Sequence, residues 1–171
     1  MMIFDLSNFL ASKDVSFHLE GEIESRTLPK ESNIKVISPI RFVGDIFKVD
    51  GEYDLNVNIY YTIDTNCNRC LKPTTMEMET LLSEQIIIDK GNINIEEFDE
   101  EFIYLQDYLL NMDDYIWSQV VISLPMKILC SNNCKGLCPQ CGIDLNTQSC
   151  NCMDNTIDPR LEKLKELFPK E

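Results

Sequence analysis

Histidine is the scarcest of the residues that usually carry acid–base chemistry: the 171-residue chain has one, His18. It falls on the polar side of an alternating segment, where a solvated strand residue is the simplest interpretation. The sequence also lacks a Gly-rich phosphate loop, a nucleophile elbow and an Asp/His pair spaced for a hydrolase. One imidazole is poor equipment for general acid–base catalysis near neutral pH, so these absences predict that the protein is not an enzyme.

Segments typical of export or membrane insertion are also missing. The first residues, 1–7, have neither the basic start nor the apolar run of a signal peptide. No apolar run approaches the length of a membrane span. We therefore expect a cytoplasmic protein without a membrane partner, in a reducing compartment where cysteines stay free or bind metal.

Basic residues are few: 15 Lys and Arg stand against 29 Asp and Glu, for a net charge of -14. Such a surface repels phosphate backbones, which excludes broad nonspecific binding of nucleic acids. Acids concentrate in residues 90–114, whereas Asp144 is the only acid in residues 125–152. The basic residues nearest to the cysteines are Arg69, Lys72, Lys127 and Lys135. This distribution predicts either a locally basic pole on an acidic body or a few cations that offset thiolate charge.

Cysteine is what the chain does have: there are eight, and six of them lie within residues 130–152. The run Cys138-Pro139-Gln140-Cys141-Gly142 is typical of a metal knuckle, in which two cysteines flank a tight turn. Its proline pre-sets φ for the turn and its glycine permits a positive φ at the exit. Cys150 and Cys152 lie two residues apart, so they face the same side of an extended segment. These four thiolates suit a tetrahedral zinc ion.

A second site is predicted from the remaining cysteines. Cys130 and Cys134 lie one helical turn apart and share a face if that segment is helical. With Cys67 and Cys70 they would complete a second four-thiolate set. All eight cysteines are thus predicted metal ligands, in one or two zinc sites. Two closed sites would leave no open coordination position, which is typical of structural rather than catalytic zinc.

Two other interpretations of the cysteines are a disulfide framework and a thioredoxin-like redox pair. The chain is not a short secreted domain, which argues against the first. Neither C-x2-C pair opens a clear helix after a strand, which argues against the second. An iron–sulfur cluster stays open at this point. The function that would follow from these alternatives is a thiol-based redox or metal-handling protein.

The front half of the chain predicts an antiparallel β-meander or a small, partly open barrel. Alternating residues place strands at Val15–Glu24, Ile34–Ile37, Arg41–Val49, Tyr53–Ile63 and Thr74–Ile88. Pro39 is expected to stop the second of these strands, and Asp50-Gly51 predicts a two-residue hairpin turn. The pair Cys67 and Cys70 would then lie at the tip of the next hairpin. Phe102–Leu105 is a candidate to rejoin the sheet.

The back half predicts helices around the cysteines, which makes the fold class α+β. Asn111 or Asp113 caps a helix that Pro125 limits, after an acidic connector at 90–101. The apolar face of this helix comprises Ile116, Trp117, Val120, Val121 and Leu124. A short final helix is expected from Asp158 to Pro169.

We predict two parts in the chain. Residues 1–124 form a mainly β domain with one helix. Residues 125–171 form a Cys-rich zinc-binding module with the C-terminal helix packed on it.

Several motifs together resemble one known family. They are Ser38-Pro39-Ile40, Gly51-Glu52-Tyr53, Cys67-Asn68-Arg69-Cys70-Leu71-Lys72-Pro73, Leu124-Pro125, Cys134-Lys135-Gly136-Leu137-Cys138-Pro139-Gln140-Cys141-Gly142 and Asp158-Pro159-Arg160-Leu161. Their order and spacing resemble the YceD family, the large ribosomal RNA subunit accumulation proteins, over almost the whole chain. The resemblance implies a role in accumulation or processing of 23S ribosomal RNA and a link to a small basic protein of the large subunit. It supplies no catalytic residues.

The expectation is therefore a non-catalytic factor for biogenesis of the large ribosomal subunit. It would bind ribosomal RNA or a basic large-subunit protein and would have no small-molecule substrate. Some members of the family keep the front C-x2-C pair but lack the rear cysteines. The resemblance thus implies that a rear metal ion steadies a loop rather than performing the family's core task.

Overall fold

The computed structural model describes residues 2–29, 32–88, 102–105 and 107–152 of the chain. In chain order its elements are β1 (Ile3–Asp5), α1 (Ser7–Ala11), β2 (Ser16–Ile23), β3 (Lys35–Val49), β4 (Glu52–Asn66), β5 (Pro73–Ile88), β6 (Phe102–Leu105), β7 (Leu109–Asn111) and α2 (Met112–Ile122). The strands form one five-stranded sheet in the order β2-β3-β4-β5-β6 and a two-stranded sheet of β1 and β7. The predicted α+β class is confirmed.

The meander predicted from alternation is present from β2 to β5, where all neighbouring strands are antiparallel. Along β4 every second side chain from Leu55 to Thr65 is buried, because successive side chains point to opposite faces of a sheet. Asp50 and Gly51 form the predicted turn between β3 and β4, with φ of 52° and 92°. The sheet is open, and β6 joins it parallel to β5, so it is mixed rather than purely antiparallel.

One strand prediction was wrong. Pro39 does not end a short strand, because β3 continues through it from Lys35 to Val49. The pairing of β3 with β4 shifts register between Ile37 and Arg41. A proline has no N–H to give to the ladder, and an irregularity of this kind is where a strand tolerates one.

One face of the sheet carries the hydrophobic core. Buried side chains include Leu19, Ile40, Ile46, Leu55, Ile59, Ile63, Ile103, Leu110, Met112 and Ile116. α2 lies against β4 and β5 and brings Ile116 and Val120 into this core, as predicted. The Asn111 side chain accepts a hydrogen bond from the backbone N–H of Asp113, so the predicted helix cap is confirmed.

The N-terminal segment closes the same face, which the sequence reasoning missed. β1 pairs with β7, and the backbone N–H of Met2 donates to the Asp113 carboxylate at 2.7 Å. Phe9 of α1 packs against Phe17 and Tyr53. The predicted acidic connector at 90–101 and the predicted final helix at 158–169 lie outside the described residues. No helix in the described part of the chain is long and apolar enough to cross a membrane.

Candidate metal centres

The front cluster consists of Cys67, Cys70, Cys130 and Cys134, whose sulfurs all lie within 4.8 Å of one another. The first two belong to the turn between β4 and β5, and the other two follow α2. Cys67 Sγ lies 3.8 Å from Cys134 Sγ, and Cys70 Sγ lies 3.6 Å from Cys130 Sγ. Cys67, Cys70 and Cys134 are buried at the end of the sheet, and the partly buried side chains of Leu129 and Leu137 pack against them.

The rear cluster consists of Cys138, Cys141, Cys150 and Cys152, and its four sulfurs also lie within 4.8 Å of one another. A short hairpin presents its first pair: Leu137 bridges to Asp144, and the N–H of Cys138 donates to the carbonyl of Ile143. Gly142 leaves the knuckle with φ of 74°, the positive value predicted for it. Cys138 is buried whereas Cys141 is exposed, so this cluster lies nearer to solvent than the front cluster.

The spacing of the sulfurs fits one metal ion in each cluster. A tetrahedral ion bound at about 2.3 Å holds its sulfurs about 3.8 Å apart, which matches the closest separations of the front cluster. In an iron–sulfur cluster the thiolates bind different iron atoms, so their sulfurs lie farther apart than around a single ion. Each cluster could therefore hold one metal ion, with all four coordination positions taken by cysteine.

Asn68 attaches the turn of the front cluster to the chain after α2. Its backbone N–H donates to the Ile128 carbonyl at 2.8 Å, and its side-chain oxygen accepts from the Ile128 N–H at 2.7 Å. Ile128 is itself part of the main core. The turn is thus joined to the cysteine segment by two hydrogen bonds before any metal is considered.

Arg69 and Asn146 connect the two clusters. The Arg69 guanidinium donates to the Cys134 carbonyl at 2.7 Å, and the Arg69 carbonyl accepts from the N–H of Leu137. Asn146 accepts from the N–H of Lys135 and donates to Cys134 Sγ at 3.5 Å. A hydrogen bond to a ligand sulfur fixes its orientation, so Asn146 would position Cys134 for a metal ion.

The front thiols have opposite acidities. Burial raises the pKa of Cys67, but backbone N–H groups of Cys70, Cys130 and Arg69 outweigh it and lower that pKa to about 6. A backbone hydrogen bond at Lys72 lowers the pKa of Cys70, but burial and the neighbouring sulfurs raise it to about 12. For Cys130, the contact with Cys70 lowers the pKa, yet Cys134 and burial leave it raised.

The rear thiols repeat this pattern. Backbone N–H groups of Cys141 and Gln140 lower the pKa of Cys138 to about 6. The Cys141 sulfur and burial raise the pKa of Cys152 to about 12. A backbone hydrogen bond from Cys152 lowers the pKa of Cys150, but the Cys138 sulfur and burial leave it raised. Four thiolates this close repel one another without a cation. Each cluster therefore combines one cysteine of lowered pKa with two of raised pKa, and a metal ion would favour ionisation of those two.

The structure corrects one expectation about the cysteines and bears on two alternatives. Cys130 and Cys134 converge through a turn, in which the Cys134 N–H donates to the Ser131 carbonyl, and not through a helix. All eight cysteines are free, so the disulfide framework is absent. Cys67 and Cys70 lie buried in a hairpin turn instead of opening a helix, which is the wrong setting for a thioredoxin-like pair.

Sequence reasoning brought out the eight cysteines but gave no role to Asn68 or Asn146. Both lie within or near cysteine motifs, and asparagine is the side chain that can both donate and accept beside a turn. That combination is a usable signal for residues that support metal ligands.

Replacing Asn68 by Ala is expected to destabilise the metal-loaded protein by about 1–3 kcal/mol, because the partly buried N–H of Ile128 loses its acceptor. The measurement is denaturant unfolding followed by circular dichroism. Asn132→Ala is the matched control, since Asn132 is exposed in the same segment and its change should stay within about 0.5 kcal/mol. Equal effects of the two substitutions would contradict the role given to Asn68.

The fold and these sites define a small α+β protein with two four-cysteine clusters at one end of an open sheet. The family model described as "Large ribosomal RNA subunit accumulation protein YceD" matches residues 55–168, about two thirds of the chain. The chain therefore belongs to the YceD family. The match includes both clusters and the hairpin that carries Cys67 and Cys70.

Curated relatives include uncharacterized protein YlbN of Bacillus subtilis, 27% identical over 160 residues that cover 91% of this chain and 90% of YlbN. Uncharacterized protein Rv2926c of Mycobacterium tuberculosis is 30% identical over 105 residues, 61% of this chain and 50% of Rv2926c. The aligned part thus spans about half the length of the mycobacterial relative. No solved structure matches the chain.

Proposed function

We propose that the protein is a non-catalytic binding factor that supports accumulation of 23S ribosomal RNA during biogenesis of the large ribosomal subunit. The observation that carries this proposal is membership of the large ribosomal RNA subunit accumulation family. The partner is ribosomal RNA or a basic protein of the large subunit, and the place of action is the cytoplasm. The proposal includes no small-molecule substrate.

The arrangement of the cysteines supports binding rather than catalysis. Closed four-thiolate sites offer no coordination position to a substrate, which is the feature that separates structural from catalytic zinc. The chain's one histidine, His18, is exposed on the sheet and lies 2.9 Å from the Asp45 carboxylate. The redox alternative requires accessible thiols, whereas Cys67, Cys70, Cys134 and Cys138 are buried.

We propose zinc as the metal, with Cys67, Cys70, Cys130 and Cys134 holding one ion and Cys138, Cys141, Cys150 and Cys152 holding the other. Four thiolates at tetrahedral spacing favour zinc over the harder cations that prefer oxygen ligands. Bound zinc would offset half of the charge of its four thiolates and fix the ends of the cysteine segment. Asn68, Arg69 and Asn146 orient the ligands through the hydrogen bonds described above.

We further propose that residues 125–171 act as a zinc-binding module attached to a mainly β domain at 1–124. The attachment would be the front cluster, because two of its ligands come from the β4–β5 turn and two from the module. The module would therefore depend on the β domain for its first metal site and on its own residues for the second.

Deletion of the gene in its own host, followed by complementation, tests the proposed function. The expected result is a lower ratio of 23S to 16S ribosomal RNA and a deficit of large subunits on sucrose gradients. Wild-type protein should restore both. A tagged copy purified at moderate salt should carry large-subunit precursors, and nuclease treatment should reveal whether RNA or protein is the direct partner.

An unchanged 23S to 16S ratio, together with purified protein free of ribosomal components, would overturn the proposal. Co-purification of thiol oxidoreductases or metal-transfer proteins instead would favour the redox or metal-handling alternative. The matched control is the same tag on an unrelated acidic protein, since net charge alone attracts basic ribosomal proteins.

A further inference from the structure

Four basic residues from separate parts of the sequence meet beside the front cluster. Arg69 and Lys72 belong to the β4–β5 turn, Lys127 follows α2, and Lys135 follows the last cysteine of the front cluster. We refer to these four residues as the cationic end. All four are exposed, although the chain as a whole has a net charge of -14.

Hydrogen bonds around the front cluster fix the backbone at or beside each of these residues. The Arg69 guanidinium donates to the carbonyl of Cys134, which immediately precedes Lys135. Lys127 immediately precedes Ile128, whose backbone makes two hydrogen bonds with Asn68. The carbonyl of Lys72 accepts from the Cys67 N–H. Each basic residue is therefore at, or next to, a residue that the turn of the front cluster fixes in place.

None of these four cations forms an ion pair with an acidic residue within the described structure. The ion pairs there involve His18, Arg26 and Arg41, and none joins an acid to the cationic end. Exposed neighbours in the cysteine segment are neutral and polar, among them Ser131, Asn132, Asn133, Gln148 and Ser149. The one acid described there, Asp144, is half-buried and accepts from Asn146. The cations are thus available to an anionic partner.

We propose that the cationic end contacts the phosphate backbone of RNA and that the front metal site holds the two halves of this surface together. The inference rests on the proposed function and names the part of the protein that would touch RNA. Lysine and arginine neutralise phosphates, and neighbouring amides and hydroxyls donate to phosphate and ribose oxygens. An acidic protein would use the same cations, but it would not use the neighbouring neutral hydrogen-bonding side chains as fully.

The acidic body gives this contact a direction. Phosphates are repelled by a surface of net negative charge. At the metal end, four exposed cations offset the charge that the zinc–thiolate sites keep (four thiolates and one Zn²⁺ leave -2 in each), so RNA would meet the least repulsion there. Binding through so few cations is weak and depends on salt. The protein would therefore recognise RNA from one end without coating it, in agreement with the exclusion of broad nonspecific binding.

Binding of a fluorescently labelled 23S ribosomal RNA fragment to the purified, metal-loaded full chain tests the proposal by fluorescence anisotropy at several salt concentrations. Four phosphate contacts predict a slope of log K against log salt of roughly -3 for single-stranded RNA, or about fiftyfold weaker binding from 50 to 200 mM salt. The double substitution Lys72→Gln and Lys127→Gln should roughly halve the slope and weaken binding about tenfold near 0.15 M salt.

The control is Lys13→Gln with Arg41→Gln, which removes the same charge from exposed positions outside the cationic end, where Arg41 pairs with Glu22. It should keep the wild-type slope. Cys70→Ser should lose RNA binding because it opens the front cluster, while Cys141→Ser, in the rear cluster, should retain it. Metal content and melting temperature of each lysine variant must equal those of the wild type.

Wild-type protein that does not bind the RNA fragment, or equal losses in the two charge variants, would overturn the proposal. Binding of polyglutamate in preference to RNA would overturn it as well, in favour of an acidic protein partner. These failures are distinct from failure of the proposed function. A protein that still carries large-subunit precursors through nuclease treatment would keep its assembly role and use another surface.

Discussion

Cys134→Ser is expected to reduce the metal content from two zinc ions per chain to one and to lower the melting temperature by roughly 8–16 °C. Structural zinc contributes about 10–16 kcal/mol of apparent binding free energy in zinc-finger peptides at neutral pH. If about 4 kcal/mol of this contributes to the free energy of unfolding, its loss lowers the melting temperature of a chain of this size by roughly 8–16 °C. The serine hydroxyl is nearly isosteric with the thiol but is a poor ligand for a soft site.

Loss of a metal ion from the front cluster would reach the β domain because this cluster joins two segments that are distant in sequence. Cys67 and Cys70 end the longest hairpin, while Cys134 belongs to the segment that also places Ile128 in the main core. Release of that segment would expose Ile128, and burial of such a side chain contributes about 1.5–3 kcal/mol. We therefore expect the substitution to destabilise the sheet as well as the cysteine segment.

Cys141→Ser is the matched control. It should remove the other zinc ion, but Cys141 is exposed and its cluster draws ligands only from the cysteine segment. The melting temperature of the sheet should change little. Native mass spectrometry gives the metal count and calorimetry gives the melting temperature. Equal thermal losses in the two variants would contradict the unequal roles of the clusters, and two ions in either variant would contradict the ligand sets.

Sequence alone predicted most of the sheet because its signals are local. Alternation from Leu55 to Ile63 reports a half-buried strand directly, and Asp50-Gly51 reports the turn through its backbone preferences. The helix cap at Asn111 is of the same kind. Pro39 misled the reasoning because a proline marks a break in a strand, and only the partner strand reveals that an irregularity accommodates it.

Strand pairings between segments that are distant in sequence were harder to predict. Phe102–Leu105 was a candidate to rejoin the sheet, but neither its place beside β5 nor its parallel direction was predicted, since the period of a strand is the same in both directions. β1 and β7 are three residues each and stabilise one another, so neither has a pattern of its own. Their pairing joins residues about a hundred positions apart, which no local window contains.

The candidate site divides in the same way. Two cysteines around a tight turn predicted the knuckle at Cys138 and Cys141 from local spacing. The meeting of the Cys67 and Cys130 pairs across 60 residues was predicted only because these were the cysteines that remained, and the fold brings them together. That both pairs form one cluster is now visible. That the clusters bind zinc remains a prediction, and the hydrogen bonds of Asn68 with Ile128 explain how the pairs can meet without the ion.

The apparent affinity for zinc should fall about hundredfold or more for each unit by which the pH decreases near neutrality, because at least two protons are displaced from each cluster. In the front cluster the pKa of Cys70 is raised to about 12 and that of Cys130 is raised, so both are protonated thiols in the metal-free protein. In the rear cluster the pKa of Cys152 is raised to about 12 and that of Cys150 is raised, so both are also protonated thiols in the metal-free protein.

The sign of this dependence follows from competition between protons and zinc for the same sulfurs. Cys67 and Cys138, with pKa values of about 6, are already thiolates at neutral pH and add one more proton to each cluster only in more acidic solution. The slope should therefore steepen as the pH falls through 6. Stability that the metal supplies is retained at higher pH and lost in acid, where protons displace the ion.

Competition with a chromogenic chelator at several pH values measures the affinity, and proton release into weakly buffered solution measures the number of protons directly. Cys152→Ser is the informative variant: it should abolish the rear signal and leave the pH dependence of the front cluster unchanged. Affinity that does not vary with pH would mean that the metal is not held by these thiols. The protons counted per zinc bound thus test the ligand sets independently of stability, since they report which sulfurs must ionise before the metal can bind.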